Sequence, residues 1–231
     1  MAPQLSIIVP ALNEEAAIAR ALAPLQRWRE AGHEVIVVDG GSDDATVARA
    51  QGLADRVLLA ERGRAAQMNA GAALARGSAL LFLHADTRPP EHAPVMIADA
   101  LASGRVWGRF DLRPSGAAAL LRLVEWMMNW RSRLSGIATG DQAIFVSRAA
   151  FQRVDGFAPI PLMEDIALSR ALKRLGRPAC IRARALTSSR RWEQFGITRT
   201  ILLMWGMRLA YFFHADPHRL ATLYHASDHG R

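Results

Sequence analysis

Four short apolar runs near the start of this chain limit what it can fold into. They are Leu5–Pro10, Val35–Asp39, Arg56–Ala60 and Leu80–His84. Each is the length of a strand, and the second and fourth are nearly unbroken Val, Ile, Leu and Phe before a polar end. Such runs suit strands buried on both faces. Between them lie Glu14–Trp28, Asp43–Leu53 and Arg64–Arg76, which carry helical spacing. In the first of these, Ala17, Ile18, Ala21, Leu22 and Leu25 fall on one face. Strands that alternate with helical segments predict a parallel sheet built from βαβ units.

The second half is less regular. Trp107–Leu112 alternates and is expected to be an antiparallel strand; Ala143–Val146 and Ala179–Ala185 read as further strands. Helices are expected at Ala117–Leu134, at Asp165–Leu175 with Gly176 as its stop, and at Ile197–Phe213. A chain of 231 residues suits one α/β domain with a sizeable core. The expected organisation is a single domain over 1–215, an apolar C-terminal helix within 193–215, and a polar tail over 216–231 that frays.

Met1–Gln4 lack the basic region and apolar stretch of a signal peptide, and no stretch reaches the roughly 20 apolar residues of a membrane span. Cys180 is the only cysteine, which excludes an internal disulfide and a zinc cluster and fits a reducing, cytoplasmic setting. The formal net charge is +8, and Lys173 is the only lysine. Arginine suits phosphate, nucleic acid or anionic lipid heads. It is also what an Arg- and Ala-rich genome produces, so charge selects no partner.

In an open parallel sheet, ligands bind beyond the carboxyl ends of the strands. Three of these runs end there in polar clusters: Pro10-Ala-Leu-Asn-Glu14, Asp39-Gly-Gly-Ser-Asp43 and His84-Ala-Asp86. The second is a natural turn and helix cap, or a loop whose Asp39 accepts a hydrogen bond from a base or ribose while Gly41 lets backbone approach. It is not G-x-G-x-x-G, so the dinucleotide fingerprint is missing. Gly63-Arg64 and Asn69-Ala-Gly71 read as a solvated turn or as the start of a phosphate-facing helix. His84 and Asp86 fall on one side of an extended segment. Asp86 is a hard oxygen ligand for Mn2+ or Mg2+, and His84 is a second ligand or a stacking group; the plain alternative is a capped turn before Pro89-Pro90. Met163-Glu-Asp165 opens a helix, where carboxylates are stabilised by the macrodipole or placed for general base catalysis. Ser188-Ser-Arg-Arg-Trp192 sets two guanidiniums beside an indole.

The order of these clusters resembles the family-2 glycosyltransferases with the GT-A fold. The matching pieces are Ile7–Glu14, Val37–Asp43, Phe82–Asp86, Glu164-Asp165 and Arg191-Trp192, with Gly140–Gln142 and Pro161–Asp165 similar to small bacterial members. The resemblance implies a Rossmann-like, mostly parallel sheet flanked by helices. It implies a nucleotide-sugar site formed by Pro10, Leu12, Asn13, Glu14, Asp39, Gly41, Ser42, Arg64, Asn69, Ala85, Asp86, Arg191 and Trp192. Asp86 matches the last aspartate of the family's Asp-x-Asp metal motif, and His84 stands where its first aspartate is usual. Asp165 matches the base of an inverting transfer, with Glu164 in reserve. Arg191 and Trp192 match the end of a Gln-x-x-Arg-Trp motif, with Ser188 at the Gln position, which argues against processive synthesis.

The resemblance therefore implies a metal-dependent transferase using a UDP- or GDP-sugar and a divalent cation, Mn2+ or Mg2+. A nucleotidyltransferase acting on sugar phosphates is the alternative, but the loop after the first strand, Ala11-Leu-Asn-Glu-Glu15, is acidic where such enzymes are glycine-rich and basic. A nucleic-acid-binding module is suggested by charge alone; no zinc or RNA-binding signature accompanies it. Trp126, Met127, Met128 and Trp130 in one helix, and Leu202, Trp205, Leu209 and Phe213 in another, lie among arginines. They read as core, as a homodimer seam, or as helices lying at the inner face of the membrane against a lipid-linked acceptor.

Overall fold

A computed structural model of the chain describes residues 4–229, the side chains of Arg191 and of 225–229 excepted. The four expected strands form β1 (Leu5–Ala11), β2 (Glu34–Asp39), β3 (Arg56–Leu59) and β4 (Ala79–Phe82). β1 pairs in parallel with β2 and β4, and β2 with β3. The second half adds β5 (Thr87–Arg88), β6 (Trp107–Pro114), β7 (Phe145–Ser147) and β8 (Ala179–Thr187). The sheet order is β3-β2-β1-β4-β7-β6-β8-β5. β7 runs antiparallel to both of its neighbours, β6 runs parallel to β8, and β5 is antiparallel to β8. The Trp107 strand is thus antiparallel on one side only.

Period-two alternation sends successive side chains to opposite faces, and here both faces are apolar. Ile7, Val9, Val35, Val37 and Leu81 pack on one face; Ile8, Ile36, Val38, Leu80 and Phe82 pack on the other. The first face is covered by α1 (Ile18–Leu22), α2 (Gln26–Glu30), α3 (Thr46–Ala50) and α5 (Ala93–Ala102). The second is covered by α4 (Arg64–Leu74), α7 (Arg148–Arg153) and α8 (Glu164–Lys173). α4 lies very close to the sheet because Gly71 has no side chain: a Cβ there would come within 2.6 Å of Ile8 Cγ2.

Two expectations need correction. The Glu14–Trp28 helix is two pieces joined by a 3-10 turn at Ala23–Leu25, because Pro24 has no N–H for the ladder. Within the 216–231 tail, the described residues do not fray. Pro217–His229 forms a helix, α11, and Leu220 and Ala221 are buried. Asp216 accepts the His218 N–H at 3.0 Å, and proline follows at the first helical position, which is a helix-start signature.

Outside the main layers lie α6 (Ala119–Ser135), α9 (Arg190–Phe195) and α10 (Ile197–Phe212). α10 buries only Thr200 and Met207 fully. Its inner side meets the start of α8, where Met163 and Ile166 cluster with Leu203 and Met207.

Candidate active site

The loops that leave β1 and β2 are stitched together beyond the sheet edge. Asn13 N–H donates to Ser42 Oγ at 2.9 Å, Asp43 N–H to Asn13 Oδ1 at 3.1 Å, and Glu14 N–H to Thr46 Oγ1 at 2.8 Å. Asn13 takes a left-handed conformation, φ 53°, which asparagine tolerates better than most residues. Asp39 is buried at the end of β2, and its carboxylate accepts the N–H groups of Gly41 and Ser42 at 2.9 and 2.8 Å and the Ser42 hydroxyl at 2.5 Å. Pro10 is buried in β1, while Leu12, Asn13, Gly41 and Ser42 line the accessible rim. Sequence reasoning missed Gln67. This buried α4 side chain donates to the carbonyls of Ala11 and Val38, each at 2.8 Å, and ties the ends of β1 and β2 to one helix. Its signal was a lone glutamine in an alanine-rich helix, which by itself points to nothing.

The His84–Asp86 segment is not extended. Thr87 N–H donates to the His84 carbonyl at 3.0 Å, which closes a turn. The alternation argument, which needs an extended segment, therefore fails as a ground for pairing the two side chains as metal ligands. Asp86 is exposed beyond the strand, Ala85 is buried, and His84 is half-buried with Nε2 against Gly140. Burial and the nearby Arg64 guanidinium push the His84 imidazole down to about 3, so it is neutral. The Asp86 carbonyl accepts the Ser188 N–H at 3.2 Å, which brings the end of β8 to the same place.

Glu164 and Asp165 occupy the first turn of α8, where the macrodipole favours carboxylates. The residue before them, Met163, is held at φ 69°, an uncommon conformation for a buried side chain. Asp165 Oδ2 accepts the Gly140 N–H at 2.9 Å, and Oδ1 accepts the Ile166 N–H at 2.7 Å. Gly140 begins a 3-10 turn, Gly140–Gln142, closed by a reciprocal capping box between Thr139 and Gln142. Asp141 in that turn accepts the Thr139 hydroxyl at 2.5 Å. Burial, assisted by Asp165, raises the Asp141 carboxyl against the pull of Thr139, Arg208 and Arg131.

Charge connects these pieces. Burial raises the Glu14 carboxyl, and Asp86 raises it further; Arg190 and Arg64 oppose both. Desolvation works against the Arg64 charge, but Glu164, Tyr224, Asp165 and Asp86 outweigh it and raise the guanidinium's pKa. Glu164, only 4% exposed, is pushed up to about 7 by burial and then by Asp165. Glu14, Arg64, Asp86, Glu164 and Asp165 therefore share one electrostatic site.

Other expected residues make contacts of their own. Asn69 binds the backbone of Phe157 through both ends of its amide, at 2.9 Å each, and acts as a clamp between α4 and the segment after α7. Trp192 packs with Leu112, Val124 and Met128 beside α6. The Arg191 side chain lies outside the described residues. Its neighbour Arg190, the other guanidinium of the Ser188–Trp192 stretch, acts on Glu14 together with Arg64.

Among the described residues, no group of three or more His, Cys, Asp or Glu is arranged to hold a metal ion. The donor set still fits a divalent cation shared with phosphate. Asp86 is an exposed hard oxygen donor within the field of other carboxylates, and Mg2+ is commonly held by one or two carboxylates together with substrate phosphates and water.

Comparison with known proteins agrees with this architecture. A PGL/p-HBAD biosynthesis glycosyltransferase of Mycobacterium bovis is 38% identical over 92 residues, 37% of this chain and 36% of the relative. The dolichyl-phosphate beta-glucosyltransferase of Drosophila melanogaster is 38% identical over 115 residues, 41% of this chain and 35% of the relative. The dodecaprenyl-phosphate galacturonate synthase of Rhizobium johnstonii is 34% identical over 113 residues, covering 42% and 32%. The chain thus spans about a third of the length of these curated relatives. Among solved structures, S. aureus TarS 1-349 with UDP-GlcNAc superposes with a TM-score of 0.63 at 19% identity, covering 80% of this chain and 58% of that one. The mannosyltransferase PcManGT from Pyrobaculum calidifontis, with GDP-Man and Mn2+, gives 0.63 at 20% identity, covering 80% and 57%. These likenesses show a shared fold, the GT-A fold. Residues 6–158, well over half of the chain, match the sequence model of glycosyl transferase family 2, and the protein belongs to that family.

Proposed function

We propose that the protein moves a glycosyl group from a nucleoside-diphosphate sugar, UDP- or GDP-linked, to an acceptor hydroxyl. The transfer is a single inverting displacement, non-processive, and dependent on a divalent cation, Mn2+ or Mg2+. The observation that carries this reading is the Asp165 carboxylate, anchored by Gly140 N–H in the same field as Arg64 and Asp86.

Asp165 accepts the acceptor's hydroxyl proton while that oxygen bonds to the anomeric carbon. The bond from this carbon to the diphosphate oxygen breaks, and its electron pair leaves with the nucleoside diphosphate. Arg64, at the start of α4 and in the field of Glu164, Asp165 and Asp86, is the guanidinium that would meet the charge that develops there. A cation bound at Asp86 would neutralise the same diphosphate. The joined loops of Pro10–Glu14 and Asp39–Ser42 form a fixed rim for the nucleoside, because Asp39 holds the amides of Gly41 and Ser42. His84 lies against Gly140, and Asp86 is the carboxylate that would hold the metal.

Support for UDP- and GDP-linked donors comes from the ligands of the two superposed structures. Two of the relatives are named for dolichyl and dodecaprenyl phosphates, which favours a lipid-linked acceptor here. No helix among the described residues is long and apolar enough to cross a membrane. α6 and α10 nevertheless leave Trp126, Trp130, Leu134, Trp205, Leu209, Phe212 and Phe213 exposed. That apolar face suits peripheral contact with the cytoplasmic side of a membrane; a homodimer seam is the competing use of it. Nucleic acid has no place in this reading.

The test is product analysis with a panel of UDP- and GDP-sugars and Mn2+. Release of nucleoside diphosphate with a product of inverted anomeric configuration is expected. Pyrophosphate release would instead favour nucleotidyl transfer.

A further inference from the structure

Between α6 and α10 runs a groove of about 650 Å3 whose walls and floor differ in chemistry. Trp126, Met127 and Trp130 of α6 face Met204 and Trp205 of α10 across it. Trp126 and Trp130 stack at 6.4 Å with their rings 12° apart and are 61% and 51% exposed. Walls of this kind suit a flexible hydrocarbon, since methionine and flat aromatic faces adapt to chain shape. The volume lies in the range of small-molecule sites, about 300–1,000 Å3.

The floor is cationic. Arg131 and Arg208 lie there beside Asp141. Nε and Nη2 of Arg131 are buried and have no hydrogen-bond partner. A buried guanidinium nitrogen left unpaired is costly, so this side chain is preorganised for an acceptor atom that arrives with a ligand. Burial and the neighbouring Arg208 already weaken its hold on the proton, to about 10, against the pull of Asp141 and Asp165. Among the residues that line the groove, one carboxylate, Asp141, stands against two guanidiniums and leaves net positive charge. The floor also belongs to the catalytic apparatus: Asp141 follows Gly140, whose N–H holds Asp165.

We propose that this groove holds the lipid-phosphate anchor of the acceptor, a single hydrocarbon chain between α6 and α10 with its phosphate on Arg131 and Arg208, so that the reacting hydroxyl is carried beyond that phosphate. The assignment deepens the glycosyltransferase reading and rests on it. A second copy of this chain fits the groove poorly, because a protein of net charge +8 offers little to a cationic floor.

The full chain can be titrated with farnesyl phosphate, farnesol and inorganic phosphate, following tryptophan fluorescence, with UDP and GDP binding in Mn2+ measured separately. Farnesyl phosphate is expected to change the fluorescence and to bind about 10–100-fold more tightly than farnesol, the worth of charged hydrogen bonds. Inorganic phosphate alone should leave the signal unchanged. Arg131→Met should abolish the preference for phosphate over alcohol; Arg208→Gln should reduce it and serves if the buried substitution fails to fold. Equal affinity for farnesyl phosphate and farnesol would overturn the assignment. So would a stable dimer in sedimentation that excludes farnesyl phosphate. The two readings fail separately. Nucleotide binding without farnesyl phosphate binding overturns the groove assignment alone. Farnesyl phosphate binding without nucleotide binding upholds the groove and overturns the donor reading.

Discussion

Gly140 and His84 occupy one another's space: a Cβ on Gly140 would lie 2.4 Å from His84 Nε2, and the same glycine's N–H holds Asp165 at 2.9 Å. The imidazole, the turn and the carboxylate are thus positioned as a unit. Gly140→Ala is expected to displace the turn and move Asp165. Misplacement on the order of 1 Å can reduce a rate about 100-fold. Turnover should fall by about that factor while UDP or GDP binding persists. Steady-state rates set beside calorimetric nucleotide affinity check this, and a normal rate in a folded variant would remove Gly140 from the account.

Asp86 is expected to link donor to cation. Asp86→Ala should leave the fold intact, because the side chain is exposed and accepts only a long hydrogen bond among the described residues, 3.2 Å from the Thr87 hydroxyl. Calorimetric titration of UDP or GDP with and without Mn2+ is the measurement. Metal-stimulated binding should vanish in the variant; unchanged stimulation would move the metal elsewhere.

Glu164 makes a prediction about pH. Its folded pKa, about 7, lies above the ordinary value of 4.5. The folded state therefore holds the proton longer than the unfolded state, and this group's contribution to stability falls as pH rises from about 4.5 to 7. At roughly 1.4 kcal/mol per unit, the full change is on the order of 3 kcal/mol. His84 works in the opposite sense: with a folded pKa of about 3 it loses stability as pH falls below 6.5. The clean observable is a difference. The stability of Glu164→Gln minus that of the natural protein should grow between pH 4.5 and 7 in denaturant titrations. A difference that stays constant with pH would mean Glu164 is not held in its neutral form.

The four N-terminal strands were legible because each is an unusually apolar run, and burial on both faces leaves few other structures open to Val35–Val38 or Leu80–Leu83. The polar clusters after β1, β2 and β4 were legible for the same reason, since parallel topology dictates where the strand ends meet. What escaped depended on contacts distant in sequence. Helix α5 follows Pro89-Pro90 without a strong signal, and α7 is only one and a half turns of a segment with no marked period. Gln67 acts through carbonyls 29 and 56 residues away in the chain. The turn at His84–Thr87 defeated a local alternation argument, because His84 is drawn against Gly140, which no nearby residue announces. The stretch with Asn69 was open between a solvated turn and a phosphate-facing helix, and the Asn69 amide pairs with the Phe157 backbone, 88 residues on.

The central claim is that Asp165 removes the acceptor's proton during sugar transfer, and Asp165→Asn tests it most directly. The Asp165 carboxylate accepts the Gly140 and Ile166 N–H groups on different oxygens, so asparagine keeps one of the two bonds, and unchanged donor affinity reports that the turn and the start of α8 hold their shape. With a nucleotide sugar identified from the panel, product formation and donor affinity are measured for both proteins under saturating donor and Mn2+. The account predicts unchanged donor affinity and transfer slower by about 10²–10⁴-fold, the usual share of general base catalysis. Transfer at a near-normal rate in the variant would contradict it and leave Asp165 as a structural anchor of the Gly140 turn.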